Sequence, residues 1–507
     1  MAHLVLQCCP PPDALLALTR LADRLRSIPF SALLLSIALA RPGSAHSESL
    51  PTIGMLGFET VRLPERERMG LVGGTLLFGA GADWWLGPAV YGAVSGHRGG
   101  FFVGGLEVQR RWSLSPGLSL ATGLYAGGGG GAAAPVGGGL MLRPAVTLLQ
   151  DIGPSWQLGL SWSVLRFPSG QIDSQQIGVT MAWRSEFIHL DDSGHGGIPS
   201  QATGLGFDRM AATVSGYRLD SGHRRIALAG ARAERRATDS GFGWGIEAAA
   251  AAKGDAAGYL EVLGTAAFSV APAPSAWPGW RVGVRGGIGA GGGGAVPTAG
   301  GLMGKIAGTL EGRIAPGWTV GAEFGEARSA NGNLHARLAQ VWLGMSLEPG
   351  LDGRGEPDPR AVRSEWVGAW QHHTRIARTD GSKRPLDTIG LKLDRYLDDH
   401  VYLSGQAHSA FAGGAGAYSI GLVGFGLAAQ PATDWRVGAE LLAGAAGGGG
   451  VQTGGGAIVQ GVAWAGWTPD PCSTWRAGLG VVRSVRGGTN SPLVELSWSR
   501  AFGMAAR

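Results

Sequence analysis

Residues 177 to 184 read IGVTMAWR, and their alternation decides the class of fold. Ile177, Val179, Met181 and Trp183 fall on one face of an extended chain, while Gly178, Thr180, Ala182 and Arg184 fall on the other. A period of two is that of a β-strand with one face in an apolar medium. The pattern returns along the chain. Val494, Leu496, Trp498 and Phe502 oppose Glu495, Ser497 and Ser499, and Leu302, Ile306 and Leu310 oppose Lys305, Glu311 and Arg313. Turn signals separate such segments every ten to eighteen residues or so.

Self-comparison shows that the strands come in three sets. GGGGGAAAPVGGGLM at 127–141 returns as GGGGAVPTAGGLM at 291–303 and as GGGGVQTGGGAI at 447–458. A Pro-bearing or tryptophan turn lies on either side of each tract: Leu118 and Trp156, Trp280 and Trp318, Trp435 and Trp475. Equivalent points are about 160 residues apart, the size of a domain or of a third of a barrel, not of a solenoid unit. Eight strands fit in each set, with ends near residues 188, 348 and 505. The reading is an all-β, transmembrane antiparallel β-barrel protein of about 24 strands in three eight-strand repeats, at 46–188, 207–348 and 364–507.

Whether the repeats close one barrel or three is open at this stage. Glycine is 91 of 507 residues, about 18 % against an average near 7 %. An inner face of small residues suits a wide lumen, because an eight-strand barrel must fill its interior with side chains. That favours one large barrel. The long segments 188–206 and 348–364 favour three tandem eight-strand barrels joined by linkers.

Composition narrows the class further. Hydrophobic residues are 44 % and charged residues 16 %, a poor balance for a water-facing surface. After residue 50 there is no apolar run of 18 residues, which excludes a multi-span helical protein. Residues 1–45 read as a signal peptide, with Arg24 and Arg26 before the apolar run 29–40 and Gly43-Ser44-Ala45 before a cleavage point. Cys8 and Cys9 leave with it, so Cys472 stands alone and no disulfide framework forms. The net charge of +5 falls to +3 in the mature chain (38 basic against 35 acidic residues), with no nucleic-acid footprint.

The near-terminal strand LVELSWSRAF at 493–502, taken with the leader and the alternating strands, resembles the general class of Gram-negative outer-membrane β-barrel proteins. It departs from the class in carrying GMAAR after Phe502. The resemblance implies location in the bacterial outer membrane, with outer-membrane lipid and the barrel assembly machinery as partners. It supplies no functional residues. A periplasmic partner would be needed only for export of a polymer.

Trp84, Trp85, Trp244, Tyr402 and the six turns above form an aromatic girdle expected on the periplasmic side. The tract 95–98, the glycine tips and the tract 328–332 then face outward. Inner-face candidates that would tune a lumen are Arg184, Arg281, Arg285, Lys305, Glu311, Arg313 and Glu495. If one barrel closes, the tips marked by Gly127 and Gly131, Gly291 and Gly294, and Gly447 and Gly450 are expected to bend inward and narrow or cover its mouth.

Catalytic and cofactor signals are weak. Gly304-Lys305 is followed by Ile306, which is not a phosphate loop, and residues 127–139 hold no aspartate for calcium. His372 and His373 are neighbours in a strand and so point to opposite faces, while Asp398, Asp399 and His400, and Asp191, Asp192 and His195, sit in turns or linkers; each group occurs in a single repeat, and solvated polar turns account for them better than a metal site. No cofactor or metal is expected. The leading function is a porin-like channel or export pore and not an enzyme. The alternatives are a lipid-modifying barrel enzyme, with its essential group sought among His97, His372, His373, His400 and His408, and a structural or surface-display barrel.

Overall fold

The computed structural model describes residues 48–189, 204–220, 224–236, 241–272, 279–347, 361–470 and 472–505. The leader, Asp191, Asp192, His195 and most of both linkers lie outside the described residues. The first barrel holds β1 (Glu48–Arg62), β2 (Arg68–Gly79), β3 (Trp84–Ser95), β4 (Phe102–Ser115), β5 (Leu118–Gly130), β6 (Leu140–Asp151), β7 (Trp156–Arg166) and β8 (Asp173–His189). The second holds β9 (Arg209–Leu219), β10 (Arg225–Arg236), β11 (Phe242–Lys253), β12 (Leu260–Val270), β13 (Trp280–Gly292), β14 (Leu302–Ala315), β15 (Trp318–Ser329) and β16 (His335–Ser346). The third holds β17 (Ala361–Ala377), β18 (Lys383–Tyr396), β19 (Val401–Ala412), β20 (Ser419–Ala432), β21 (Trp435–Gly447), β22 (Ala457–Asp470), β23 (Ser473–Ser484) and β24 (Asn490–Ala505).

Each set of eight closes on itself, antiparallel throughout. Met55 of β1 pairs with Ala182 of β8, Val214 of β9 with Val341 of β16, and Trp370 of β17 with Leu496 of β24. The single wide barrel favoured by glycine content is therefore corrected: three small barrels stand side by side. The physical reason lies in what the inner glycines face. A Cβ on Gly426 would sit 2.1 Å from the Tyr402 ring, and one on Gly438 would sit 2.4 Å from the Trp464 ring. The small residues make room for large ones on the next strand, so the interiors are filled, as eight strands require.

The outer faces are apolar and bare. Ile177 is 74 % exposed, Leu441 71 % and Leu479 70 %, values that suit contact with lipid and not with water. Among the described residues no helix is long and apolar enough to cross a membrane. Trp84, Trp156, Trp244, Trp435 and Trp467, all exposed, gather at the short-turn end, the place of an interfacial girdle.

Among the described residues an apolar wall-to-wall cluster sets Val94 and Phe102 of the first barrel against Ala290 of the second, with Val72, Leu260, Val262 and Leu302 around them, and two further kinds of contact lie at the ends. At the short-turn end an apolar hub collects Phe187, Leu347, Phe502 and Met504 with Phe78 and Trp366 around them. Trp366 stacks on Phe502 at 6.1 Å and Phe187 meets Phe502 edge-on at 5.2 Å. At the loop end, the hairpin between the fifth and sixth strands of each barrel docks on the turn between the third and fourth strands of a neighbour. Gly99 N–H donates to Ala299 O at 2.7 Å, joining the first barrel to the second. Gly416 N–H donates to Gly137 O at 3.3 Å, joining the third to the first. Gly447 lies against Gly258 so closely that a Cβ would fall 2.1 Å from the Gly258 nitrogen, joining the third to the second. The same pair of elements is used in every seam, so the ring is head-to-tail and closed.

Candidate functional site: three ion-paired lumens

Inward parity along each strand brings charge to the barrel axes. In the first barrel Arg143 grips Glu59 with two donors, at 2.9 and 2.7 Å, and Ser163 adds a third at 2.8 Å. The Arg143 guanidinium also lies 5.2 Å from the Tyr91 ring centre. Beside it Glu107 accepts from Gln109 at 2.6 Å, Thr75 at 3.2 Å and Tyr91 at 3.3 Å. All of these but Ser163 line an internal cavity together with Met55, Gly123 and Thr180.

The second barrel is the most crowded. Arg232 meets Glu323 at 2.6 Å and Glu234 at 3.3 Å. Arg209 holds Glu234 and reaches Glu311 at 3.2 Å, while Lys305 bridges Glu247 at 2.7 Å and Glu261 at 2.8 Å. Two of the cations lie over the Trp342 ring, Arg209 at 4.5 Å and Arg232 at 4.3 Å from its centre. In the third barrel Lys392 bridges Glu440 at 3.0 Å and Glu495 at 2.7 Å. Glu365 is held by Arg436 at 2.8 Å and by Arg476, which also reaches Asp394 at 3.1 Å. The three constellations do not share a residue pattern, and the first lies nearer the loop end than the Glu365 group of the third.

Of the inner-face candidates, Arg285, Lys305, Glu311 and Glu495 lie in these networks. Arg281 sits at the short-turn edge of the second lumen, donating to Ser269 Oγ at 2.9 Å. Arg184 is exposed and pairs with Asp151 at 2.7 Å, and Arg313 is exposed at the end of β14. Sequence reasoning missed Glu59, Arg143, Arg209, Arg232, Glu247, Lys392, Glu440 and Arg476. The signal was present in pairs such as Arg232 and Glu234, or Lys392 and Asp394, where charges two residues apart alternate with apolar or small ones.

The glycine tips do something other than line one shared mouth. Each hairpin folds over its own barrel and buries a valine (Val136, Val296 and Val451) in the apolar cluster that fills the lumen's loop end. In the first barrel the partners of Val136 include Leu63, Phe101, Phe167 and Ile172. Gly131, Gly294 and Gly450 have φ of +133°, +54° and +68°, which glycine alone adopts freely. Gly127 and Gly291 give space to Tyr125 Oη and Met303 Sδ, and Gly447 forms the seam already described. An arginine ties down each hairpin or its neighbouring turn: Arg98 to Ala132 O at 2.9 Å, Arg224 to Ala295 O at 3.2 Å, Arg378 to Gly413 O at 2.9 Å.

The histidines divide. His97 and His400 are exposed. Asp398, in the turn before β19, accepts from the backbone N–H of His400 at 2.8 Å and of Val401 at 2.7 Å, and these bonds hold its carboxyl below the usual range. His373 and His408 are instead buried in the third lumen, with no hydrogen-bond partner on either ring nitrogen. The strand reading of 372 and 373 holds, with His373 inward on β17 and His372 outward, and inward parity on β19 buries His408. His372 points outward and its Nδ1 lies 2.8 Å from Asp387. Among the described residues no serine, threonine or cysteine is hydrogen-bonded to that ring, so the pair lacks a nucleophile.

No protein-family model matches the chain and no curated protein matches it in sequence. Solved structures that it resembles include OccAB3 of Acinetobacter baumannii, at 8 % identity over 90 % of this chain and 99 % of that one, with a TM-score of 0.22. A siderophore receptor PirA, also of Acinetobacter baumannii, is 10 % identical over 91 % and 81 %, with a TM-score of 0.28. OccK11 of Pseudomonas aeruginosa is 11 % identical over 92 % and 100 %, with a TM-score of 0.21.

Proposed function

We propose that the protein is a bacterial outer-membrane channel of low conductance, with three parallel conduits that are shut in this conformation. The supporting observation is the charge in the lumens. Replacing a buried ion-pair network by apolar residues of similar volume is often neutral or stabilising, so stability alone does not call for one. Charge along the axis of a barrel whose outer wall faces lipid suits a path for ions or small polar solutes, gated by rearrangement of the pairs. The apolar layer under Val136, Val296 and Val451 is the second barrier, closing by exclusion of water.

Purified protein in planar bilayers is expected to show rare, small steps. Opening the apolar layer with Val136→Gly, Val296→Gly and Val451→Gly together is expected to raise both step frequency and size several-fold. Complete filling of the lumens favours one other reading, a structural barrel assembly. Silence of both the wild type and the triple variant, with correct insertion, would select it.

A further inference from the structure

On the outer wall of the second barrel, at the loop end, three arginines stand side by side on adjacent strands. The register places Arg337 of β16 directly opposite Arg218 of β9, and Arg218 directly opposite Arg225 of β10. Lys253 of β11 lies one step below the row, opposite Ala227. All four are exposed; the carboxylate that faces the row, Glu326 of β15 opposite Arg337, is engaged by Arg328 at 2.6 Å. Like charges directly opposite one another in a sheet destabilise it, and an anion lying across the row would relieve that repulsion. The first barrel repeats the motif at the same place, with Arg62 of β1 directly opposite Arg68 of β2.

What lies below the row decides the kind of anion. One step toward the middle of the membrane come Ala339, Gly216 and Ala227, in register, where a Cβ on Gly216 would meet nothing nearer than 4.0 Å. One step further come Val341 and Val214, 58 % and 57 % exposed. Cations at the rim, then a shallow strip of small residues, then bare apolar side chains, match an amphiphile with an anionic head and acyl tails. Planar guanidinium groups suit the oxygens of a phosphate monoester. We propose that the Arg337–Arg218–Arg225 row binds the phosphorylated headgroup of a membrane lipid whose acyl chains lie along Val341 and Val214. This rests on the membrane reading of the outer walls and not on the channel reading.

The test uses the full chain in detergent micelles, with diphosphoryl lipid A as probe, phosphatidylcholine as the zwitterionic control and inorganic phosphate as competitor. Native mass spectrometry counts bound lipid and a titration gives affinity. The probe is expected to bind saturably, and Arg218→Gln, Arg225→Gln and Arg337→Gln together are expected to remove one bound lipid and weaken the remaining apparent affinity roughly ten-fold or more. The corresponding triple lysine variant keeps the charge and is expected to retain the lipid. Equal binding of phosphatidylcholine, or an unchanged count in the glutamine variant, would overturn the proposal. Displacement of the probe by millimolar phosphate would transfer the row to a free ion and also overturn it. Failure of the wild type to enter vesicles would instead strike the membrane reading, and flotation reports that separately.

Discussion

Replacing Lys392 with methionine is expected to destabilise the third barrel by roughly 3–5 kcal/mol, because it strands two buried carboxylates. Lys392 is fully buried between Glu440 and Glu495, at 3.0 and 2.7 Å. With the ammonium gone, Glu440 keeps a bond from Tyr402 at 2.9 Å and Glu495 one from Gln371 at 2.8 Å, and neither supplies a positive charge. The combined variant Lys392→Met, Glu440→Leu and Glu495→Leu removes all three charges at once and is expected to recover most of the loss. Urea unfolding followed by the heat-modifiable shift of the barrel on a gel measures both. A single variant no worse than the triple one would show that the network is not held as an ion-paired unit.

The second large effect is expected at a seam. A Cβ on Gly447 would fall 2.1 Å from the Gly258 nitrogen, and Gly447 has no left-handed backbone angle to complicate the substitution. Gly447→Val is therefore expected to part the second and third barrels at the loop end while both stay closed. Backbone cannot yield as a flexible side chain does, so the overpacking costs about 1–3 kcal/mol or more and falls on the contact, the weaker structure. Spin labels at exposed Asp255 and Gln452 are expected to give a longer and broader distance distribution in the variant. Gly421→Val is the control, since nothing lies within 4 Å of the Cβ it would add. A distribution as narrow as the wild type's would mean that the hub alone sets the arrangement.

The strands were legible because their signal is local. Ile177, Val179, Met181 and Trp183 declare the outer face without reference to any other strand, and turn signals between such segments give eight to a repeat. Closure was not legible, because it depends on which distant edge β1 meets, and β8 and β24 present similar alternation. Lumen chemistry was half legible for a related reason. Parity told that Lys305 points inward, but its partners Glu247 and Glu261 sit on β11 and β12, brought near by the tilt and stagger of a closed barrel. The glycine tracts misled through their own softness. The matching glycines on the receiving turns, Gly99 and Gly100, Gly258, and Gly413, Gly414 and Gly416, recur once per repeat and carried the better signal of backbone meeting backbone.

The closed ring of seams has a consequence for how the interiors can differ. Three identical chains arranged in this way would be bound to carry one interior in triplicate, since any change to a subunit appears in all of them. Here the donor hairpin and the receiving turn of every seam belong to one polypeptide, and tethering keeps each contact at high effective concentration even where it is weak in itself. Selection can then hold the docking surfaces alike while letting each interior drift on its own course. That is the pattern found: Glu59 with Arg143 in one barrel, a dense arginine and glutamate lattice in the next, and lysine with two unpartnered histidines in the last. A fused triplet can hold three specialised interiors behind a single mode of assembly.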